Sequence, residues 1–215
     1  PLLSPSILAA IALVYWFGNK GVLKALLFGH SIYGPIGIIL ASIYWTFPHA
    51  LMILSTSLSL SDSRLYEAAE VLKTSKLRAF LTITIPGARY GIISTTFVVF
   101  TQVFTDFGVP KVIGGNYNVL ATDIYKEVVG MQNFQMGAVI SLVLLIPAMV
   151  AFFIDQYSRK KQISLLTSRS VVFNPKKSWG VDMLMLGYCS IIAIIILLMI
   201  GMAQFGALVL SLIHI

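Results

Sequence analysis

The chain has 215 residues, of which 58% are apolar and only 11% are charged, and its formal net charge is +7. A soluble domain carries about a quarter of its residues as charged types, so this chain could not cover its surface in water. A single cysteine, Cys189, excludes a disulfide framework and a cysteine-rich zinc site. The basic residues lie in the gaps between apolar runs, which argues against nucleic-acid binding and for an integral membrane protein.

Apolar segments of membrane-spanning length follow one another along the chain. A span needs roughly 17–25 mainly apolar residues. The segments 34–54, 91–109, 134–154 and 183–207 fit this length, and a shorter one covers 3–17. We therefore predict an all-α fold, a polytopic transmembrane helical bundle in the lipid bilayer. Because the chain opens without methionine and ends inside an apolar run, we expect a fragment of a longer protein.

The distribution of lysine and arginine predicts the orientation. Residues 61–90 and 156–180 together hold eleven of the fifteen basic residues, and the loops on the other side hold four. Cytoplasmic loops carry the excess of basic residues, so both rich segments are expected in the cytoplasm. We interpret residues 156–180, which contain Asn174-Pro175, as a linker.

The first cytoplasmic segment has the pattern of two short helices. Asp62 or Ser63 can cap the first helix, and Thr74-Ser75 offers a cap for the second. Pro86 is expected to end the second helix. An amphipathic loop that rests on lipid headgroups is the alternative reading.

Residues 62–86 resemble the EAA loop of the inner-membrane permeases of binding-protein-dependent ABC importers, which have the MetI-like permease fold. The family pattern is Glu-Ala-Ala, three residues, Gly, nine residues and Ile-x-Leu-Pro. The matching positions are Glu67, Ala68, Ala69, Lys73, Ile83, Ile85 and Pro86. Lys73 replaces the glycine, which tolerates a positive φ better than lysine, and Ile85 replaces the leucine.

This resemblance implies the partners and the location. The EAA loop of the family is a coupling helix that seats on a dimer of cytoplasmic ABC ATPase subunits, and a periplasmic solute-binding protein delivers the solute. The location is the bacterial inner membrane. Because the sequence has no phosphate-binding loop, ATP hydrolysis is expected in a separate subunit, and we expect no cofactor, metal site or catalytic residue in this chain.

Asp106 is the candidate for the translocation path, since an ionisable group at membrane depth is a functional candidate by default. Thr101 and Gln102, one turn earlier, could line a polar path beside it. The alternative is structural: Asp106 caps a helix end or pairs with a basic residue such as Lys111.

The outer loop suggests a branch of the family. Residues 106–110 and the outer loop 110–135 together resemble the permeases for ferric iron, thiamine and 2-aminoethylphosphonate. Many of these permeases fuse two permease units in one chain. The amino-acid sequences of residues 106–115 and 121–126 look most like those of the 2-aminoethylphosphonate permeases. Ferric iron is the alternative substrate, and thiamine or a polyamine is a weaker one.

The fused branch also implies a domain organisation. Residues 1–155 would be the C-terminal part of a first permease unit, 156–180 a cytoplasmic linker, and 181–215 the first transmembrane segment of a second unit.

Two other classes of membrane protein are alternatives to a permease. A membrane enzyme is disfavoured because the sequence shows no serine dyad, no pair of membrane aspartates and no His-Glu-x-x-His motif. A channel that works without ATP, or an assembly subunit, is the second alternative.

Overall fold

The computed structural model describes residues 4–59, 61–165 and 178–213. These residues form α-helices and no β-strand, which confirms the all-helical prediction. The helices are α1 (Ser6–Phe17), α2 (Pro35–Ser59), α3 (Ser63–Val71), α4 (Lys76–Ala79), α5 (Ile85–Phe104), α6 (Gly108–Ile113), α7 (Leu120–Tyr125), α8 (Phe134–Leu165) and α9 (Trp179–Ile213). Single π-helical turns cover Phe80–Thr84 and Lys126–Gly130, and a 3-10 turn covers Lys24–Leu27.

Four helical stretches in the described residues are long and apolar enough to cross a bilayer. They are Pro35–Ser59, Lys76–Phe104, Phe134–Lys161 and Trp179–Val209. Each contains most of one of the four long apolar segments predicted from the sequence. Helix α1 is apolar but shorter. This arrangement confirms the polytopic helical prediction.

Two predicted helix ends are wrong. The span predicted over 91–109 ends at Phe104, because the chain turns there and α6 starts at Gly108. Pro86 does not end the second short helix, since helical structure continues from Lys76 to Phe104. The π turn just before the proline is the physical reason. Local π adjustments accommodate the backbone groups that a proline frees, and here the Ile85 amide donates to the Phe80 carbonyl five residues earlier.

Contacts divide the chain into two compact units. The first consists of residues 1–48, 103–145 and 178–215. Its core surrounds α1, where small residues such as Ala9, Ala10 and Ala12 are buried and let α6 and α9 approach closely. A side chain at Gly206 of α9 would overlap the Tyr15 ring of α1. Helix α9 therefore packs by close backbone approach, which small residues permit.

The second unit consists of residues 49–102 and 146–177. It contains the end of α2, all of α3, α4 and α5, and the end of α8. Helix α8 runs to Leu165, so the linker predicted over 156–180 starts inside this helix. The Arg159–Asp155 ion pair, one turn apart at 2.9 Å, supports this helical extension. Of the rest of the predicted linker, residues 166–177 lie outside the described residues, and α9 starts at Trp179.

Candidate functional site

Side-chain caps start both short helices of residues 62–86. Asp62 accepts a hydrogen bond from the Arg64 amide at 3.1 Å, and the Ser75 hydroxyl accepts from the Arg78 amide at 3.3 Å. Each cap satisfies an amide of the first helical turn that has no partner within the helix. Both caps were predicted from the sequence and are confirmed.

Lys73 makes the sharp turn between α3 and α4. Its φ is +48°, the left-handed conformation that glycine adopts most easily. The Lys73 amide donates to the Glu70 carbonyl at 3.0 Å, and the Thr74 amide donates to the Ala69 carbonyl at 2.9 Å. This pair of bonds is the Schellman arrangement that closes a helix C-terminus. The lysine thus adopts the backbone conformation for which glycine is suited at this position of the motif.

The three residues of the Glu-Ala-Ala motif have different environments. Glu67 and Ala68 are exposed, whereas Ala69 is only 8% exposed and is the buried residue of α3. Farther along the motif, Ile83 is half-buried, and Ile85 and Pro86 are exposed. Within this chain, therefore, Ala69 packs inside the second unit, while Glu67 and Ala68 are accessible to a partner.

An open groove of about 520 Å³ separates α3 from the following helical segment. Its lining consists of Leu65, Ala68, Ala69, Leu72, Thr74, Arg78, Thr82 and Ile83. Beside the groove lies an exposed apolar patch, which we define as Leu65, Leu72, Leu77, Phe80 and Leu81. Leu72 is 76% exposed and Leu77 is 70% exposed. Several large apolar side chains exposed on one short segment are typical of a surface that contacts another protein or lipid.

A hydrogen bond joins α3 to the π turn. The Tyr66 hydroxyl and the Thr84 hydroxyl are 2.9 Å apart and partly buried. Because the π turn continues directly into α5, this bond connects α3 to a helix that is long and apolar enough to cross a bilayer.

The structure places Asp106 at the start of α6, after the end of the α5 span. Its carboxylate accepts from the Ser6 hydroxyl at 2.5 Å, from the Val109 amide at 2.9 Å and from the Gly108 amide at 3.3 Å. Asp106 therefore caps α6 and ties it to α1, the structural role that was the alternative in the sequence analysis.

The residues that follow Asp106 also make close contacts. A side chain at Gly108 would lie only 2.7 Å from the Ser6 hydroxyl, so the glycine permits the contact between α6 and α1. Phe107 packs on the Tyr125 ring at 5.2 Å, and the Lys111 ammonium lies 4.3 Å from the centre of the same ring. Lys111 thus interacts with Tyr125 in a cation–π contact.

Thr101 and Gln102 have different hydrogen-bonding states. The Thr101 hydroxyl donates to the Phe97 carbonyl of its own helix at 2.8 Å. The Gln102 side-chain oxygen is enclosed and accepts no hydrogen bond from the described residues.

Sequence reasoning missed one buried polar cluster. Asp155 of α8 is 8% exposed and accepts a hydrogen bond from Ser94 of α5, which is 1% exposed. The Arg159 guanidinium donates to both Asp155 oxygens, at 2.9 and 3.1 Å. The sequence did contain a signal: an aspartate at the end of an apolar span, followed one turn later by an arginine, is the pattern of a paired membrane charge.

Comparison with known proteins identifies the family. Residues 1–164 match the model of the family described as binding-protein-dependent transport system inner membrane component. A Haemophilus influenzae protein whose name assigns it to a ferric transport system as the permease FbpB 1 is 30% identical over 73% of this chain. The ferric transport system permease protein FbpB of Actinobacillus pleuropneumoniae is 28% identical over 72% of this chain. The spermidine/putrescine transport system permease protein PotB of Escherichia coli is 28% identical over 68% of it.

The chain spans only part of these relatives. The matched region is 26% and 24% of the length of the two ferric permeases and 56% of the length of PotB. The family match nonetheless covers the EAA-like segment and the first three of the four long apolar helices. The chain therefore belongs to the family of binding-protein-dependent transport system inner membrane components.

Proposed function

We propose that this chain is part of the permease of an ABC importer, and that residues 62–86 dock on its ATPase subunits. The observation that carries the proposal is the exposed apolar patch on the segment that also holds the exposed Glu67 and Ala68 and that matches the EAA pattern. Leucines exposed to this extent on a charged loop lose contact with water when a partner covers them, which favours docking. The Ala68 methyl group leaves room for a partner side chain in the groove.

The docking segment is suited to transmit a push from the ATPase. It is capped at Asp62 and Ser75, closed by hydrogen bonds at Lys73, and bonded through Tyr66 to the helix that continues as α5. A segment that is fixed at several points moves as one body. ATP hydrolysis would take place in the partner subunits, and a solute-binding protein on the outer face would deliver the solute.

Gln102 is the better supported candidate for the translocation path. Its enclosed oxygen has an unused lone pair and could accept a hydrogen bond from water or solute. Asp106 is less suited to this role, because its carboxylate already accepts from three donors. The Thr101 hydroxyl donates to its own helix but can still accept.

We infer that residues 1–155 form the C-terminal part of one permease unit and that residues 181–215 begin a second one. The family match ends at residue 164, before α9, and the ferric relatives are far longer than the matched region. Both observations support a fused permease in which the chain between the end of α8 at Leu165 and the start of α9 at Trp179 connects the two units.

Ferric iron is the substrate that the comparisons favour, because the relative with 30% identity is named as a ferric permease, whereas PotB has 28% identity. The amino-acid sequence of the outer loop favours 2-aminoethylphosphonate instead. A polyamine is supported by the PotB similarity at 28% identity. We therefore propose ferric iron first and 2-aminoethylphosphonate second.

The test is uptake into proteoliposomes that contain the full permease, its ATPase subunits and its binding protein. Radioactive ferric iron, 2-aminoethylphosphonate and spermidine are supplied in parallel, with and without ATP inside. We expect ATP-dependent accumulation of one solute, with no accumulation when the ATPase is omitted. Accumulation without the ATPase would show a channel, and would contradict the proposal.

A double substitution tests the docking site in the same assay. Glu67→Arg with Ala68→Trp reverses a charge and adds bulk at two exposed positions, and we expect loss of ATPase co-purification and of uptake. Asp182→Arg with Ala138→Trp is the control: it also reverses a charge and adds bulk at two exposed positions, but outside residues 62–86. Normal uptake and co-purification in the Glu67 variant would rule out docking at this segment.

A further inference from the structure

The Asp155 carboxylate joins two membrane helices within the second unit. It accepts from the Ser94 hydroxyl of α5, and it is held from its own helix by Arg159. A buried carboxylate is costly unless it is paired and hydrogen-bonded, and both requirements are met here. The Ser94–Asp155 bond is therefore a satisfied polar contact between α5 and α8.

The neighbouring hydroxyls of α5 behave differently. Thr95 donates to the Gly91 carbonyl at 2.8 Å, and Thr96 donates to the Ile92 carbonyl at 2.9 Å. Both bonds stay within α5, as is common for hydroxyl side chains in membrane helices. Of these three consecutive hydroxyls, only Ser94 reaches another helix.

Helix α5 is also joined to the cytoplasmic helix. The Tyr66–Thr84 hydrogen bond connects α3 to the π turn, and helical structure runs without a break from Lys76 to Phe104. Ser94 lies ten residues after Thr84, which is about 15 Å along a helix. One continuous helix thus contacts α3 near its start and α8 at Ser94.

We propose that Asp155 is a positioning residue for transport, which links α8 to α5 so that a displacement of α3 moves both helices together. This inference rests on the proposed function, because α3 is displaced only if the ATPase docks there. A ligand or partner can shift a conformational equilibrium only through contacts that reach the moving elements. The Ser94–Asp155 bond supplies such a contact between two spans.

Ser94→Ala is the main test, since it removes the hydroxyl and leaves the Asp155–Arg159 pair intact. The full importer is reconstituted in proteoliposomes, and ATP hydrolysis and uptake of ferric iron and 2-aminoethylphosphonate are measured together. We expect the solute moved per ATP hydrolysed to fall about tenfold, which corresponds to one hydrogen bond to a charged group. ATPase co-purification should be unchanged.

Thr95→Ala is the matched control, because Thr95 is also buried but bonds only its own helix. Solute moved per ATP should stay at the wild-type value. Asp155→Asn is the second variant, and adding Ser94→Ala to it should lower the ratio less than Ser94→Ala lowers it alone.

The outcomes separate the two proposals. Absence of ATP-dependent uptake by the unsubstituted importer would contradict the proposed function itself. If the unsubstituted importer transports and Ser94→Ala keeps the same solute-to-ATP ratio as Thr95→Ala, the role of Asp155 is overturned. A proportional fall of uptake and hydrolysis would overturn it too, since it would indicate only a loss of folded protein.

Discussion

Single residues in this chain adopt backbone conformations that their residue type does not usually favour. Lys73 has a left-handed backbone where the motif has glycine, and Phe28 and Gln132 are the other non-glycine residues with positive φ in the described part of the chain. The bonds made by Lys73 and Thr74 compensate for this backbone strain. Glycine adopts a left-handed backbone without strain, so replacing Lys73 by glycine should stabilise this turn.

Lys73→Gly is expected to stabilise the end of α3 by about 0.5–1 kcal/mol. Glycine removes the Cβ clash of the left-handed conformation, although it also gives the unfolded chain more freedom, which offsets part of the gain. The measurement is amide hydrogen exchange of α3 in the purified protein, where the amides should exchange more slowly.

The control for this prediction is Lys160→Gly. Lys160 is an exposed residue inside α8 without a positive φ, so glycine there should destabilise the helix by about 1 kcal/mol. Faster exchange of α3 in the Lys73 variant would contradict the idea that this turn is strained.

At the scale of helices, cap positions could be predicted from the sequence, but two helix ends, at Phe104 and at Pro86, could not. Asp62 and Ser75 cap helices as predicted, because short polar side chains before an amphipathic run have a local preference for that role. Pro86 was expected to end a helix, and it does not, because a π turn precedes it. A π turn has no strong local sequence signal and depends on the surrounding contacts, here including the Tyr66–Thr84 bond.

Removing the Tyr66 hydroxyl should loosen α3 from the π turn. Tyr66→Phe keeps the ring and deletes one partly buried hydrogen bond, which contributes about 1 kcal/mol. Hydrogen exchange should become faster in α3 and in the π turn, while α9 keeps its rates.

Tyr188→Phe provides the comparison for this prediction. Tyr188 is 58% exposed on α9, so loss of its hydroxyl should leave exchange in α3 unchanged. Equal exchange rates in the Tyr66 variant and the unsubstituted protein would mean that the hydroxyl pair does not hold α3 in place.

At the scale of the whole molecule, hydropathy and charge predicted the helical spans, and the long-range pairs could not be predicted. Apolar length is a local property, so the four spans were visible in the sequence. The Ser94–Asp155 and Ser6–Asp106 bonds join residues 61 and 100 positions apart. Which distant polar residues meet depends on how helices pack, and one sequence carries no direct record of this.

The orientation of the chain is the basis for the proposed docking of residues 62–86, and paired cysteine labelling tests it. Cys189 is first replaced by serine, and then Lys76→Cys or Lys20→Cys is introduced, both at exposed positions. The excess of basic residues predicts that Lys76 lies in the cytoplasm and Lys20 on the outer side. A membrane-impermeant maleimide added to intact spheroplasts should therefore label the Lys20 variant at once and the Lys76 variant only after permeabilisation. The matched replacements remove one lysine each, so a difference in labelling reports location rather than reactivity.

If the Lys76 variant reacts with the maleimide in intact spheroplasts, residues 62–86 face outward, where no cytoplasmic ATPase can reach them.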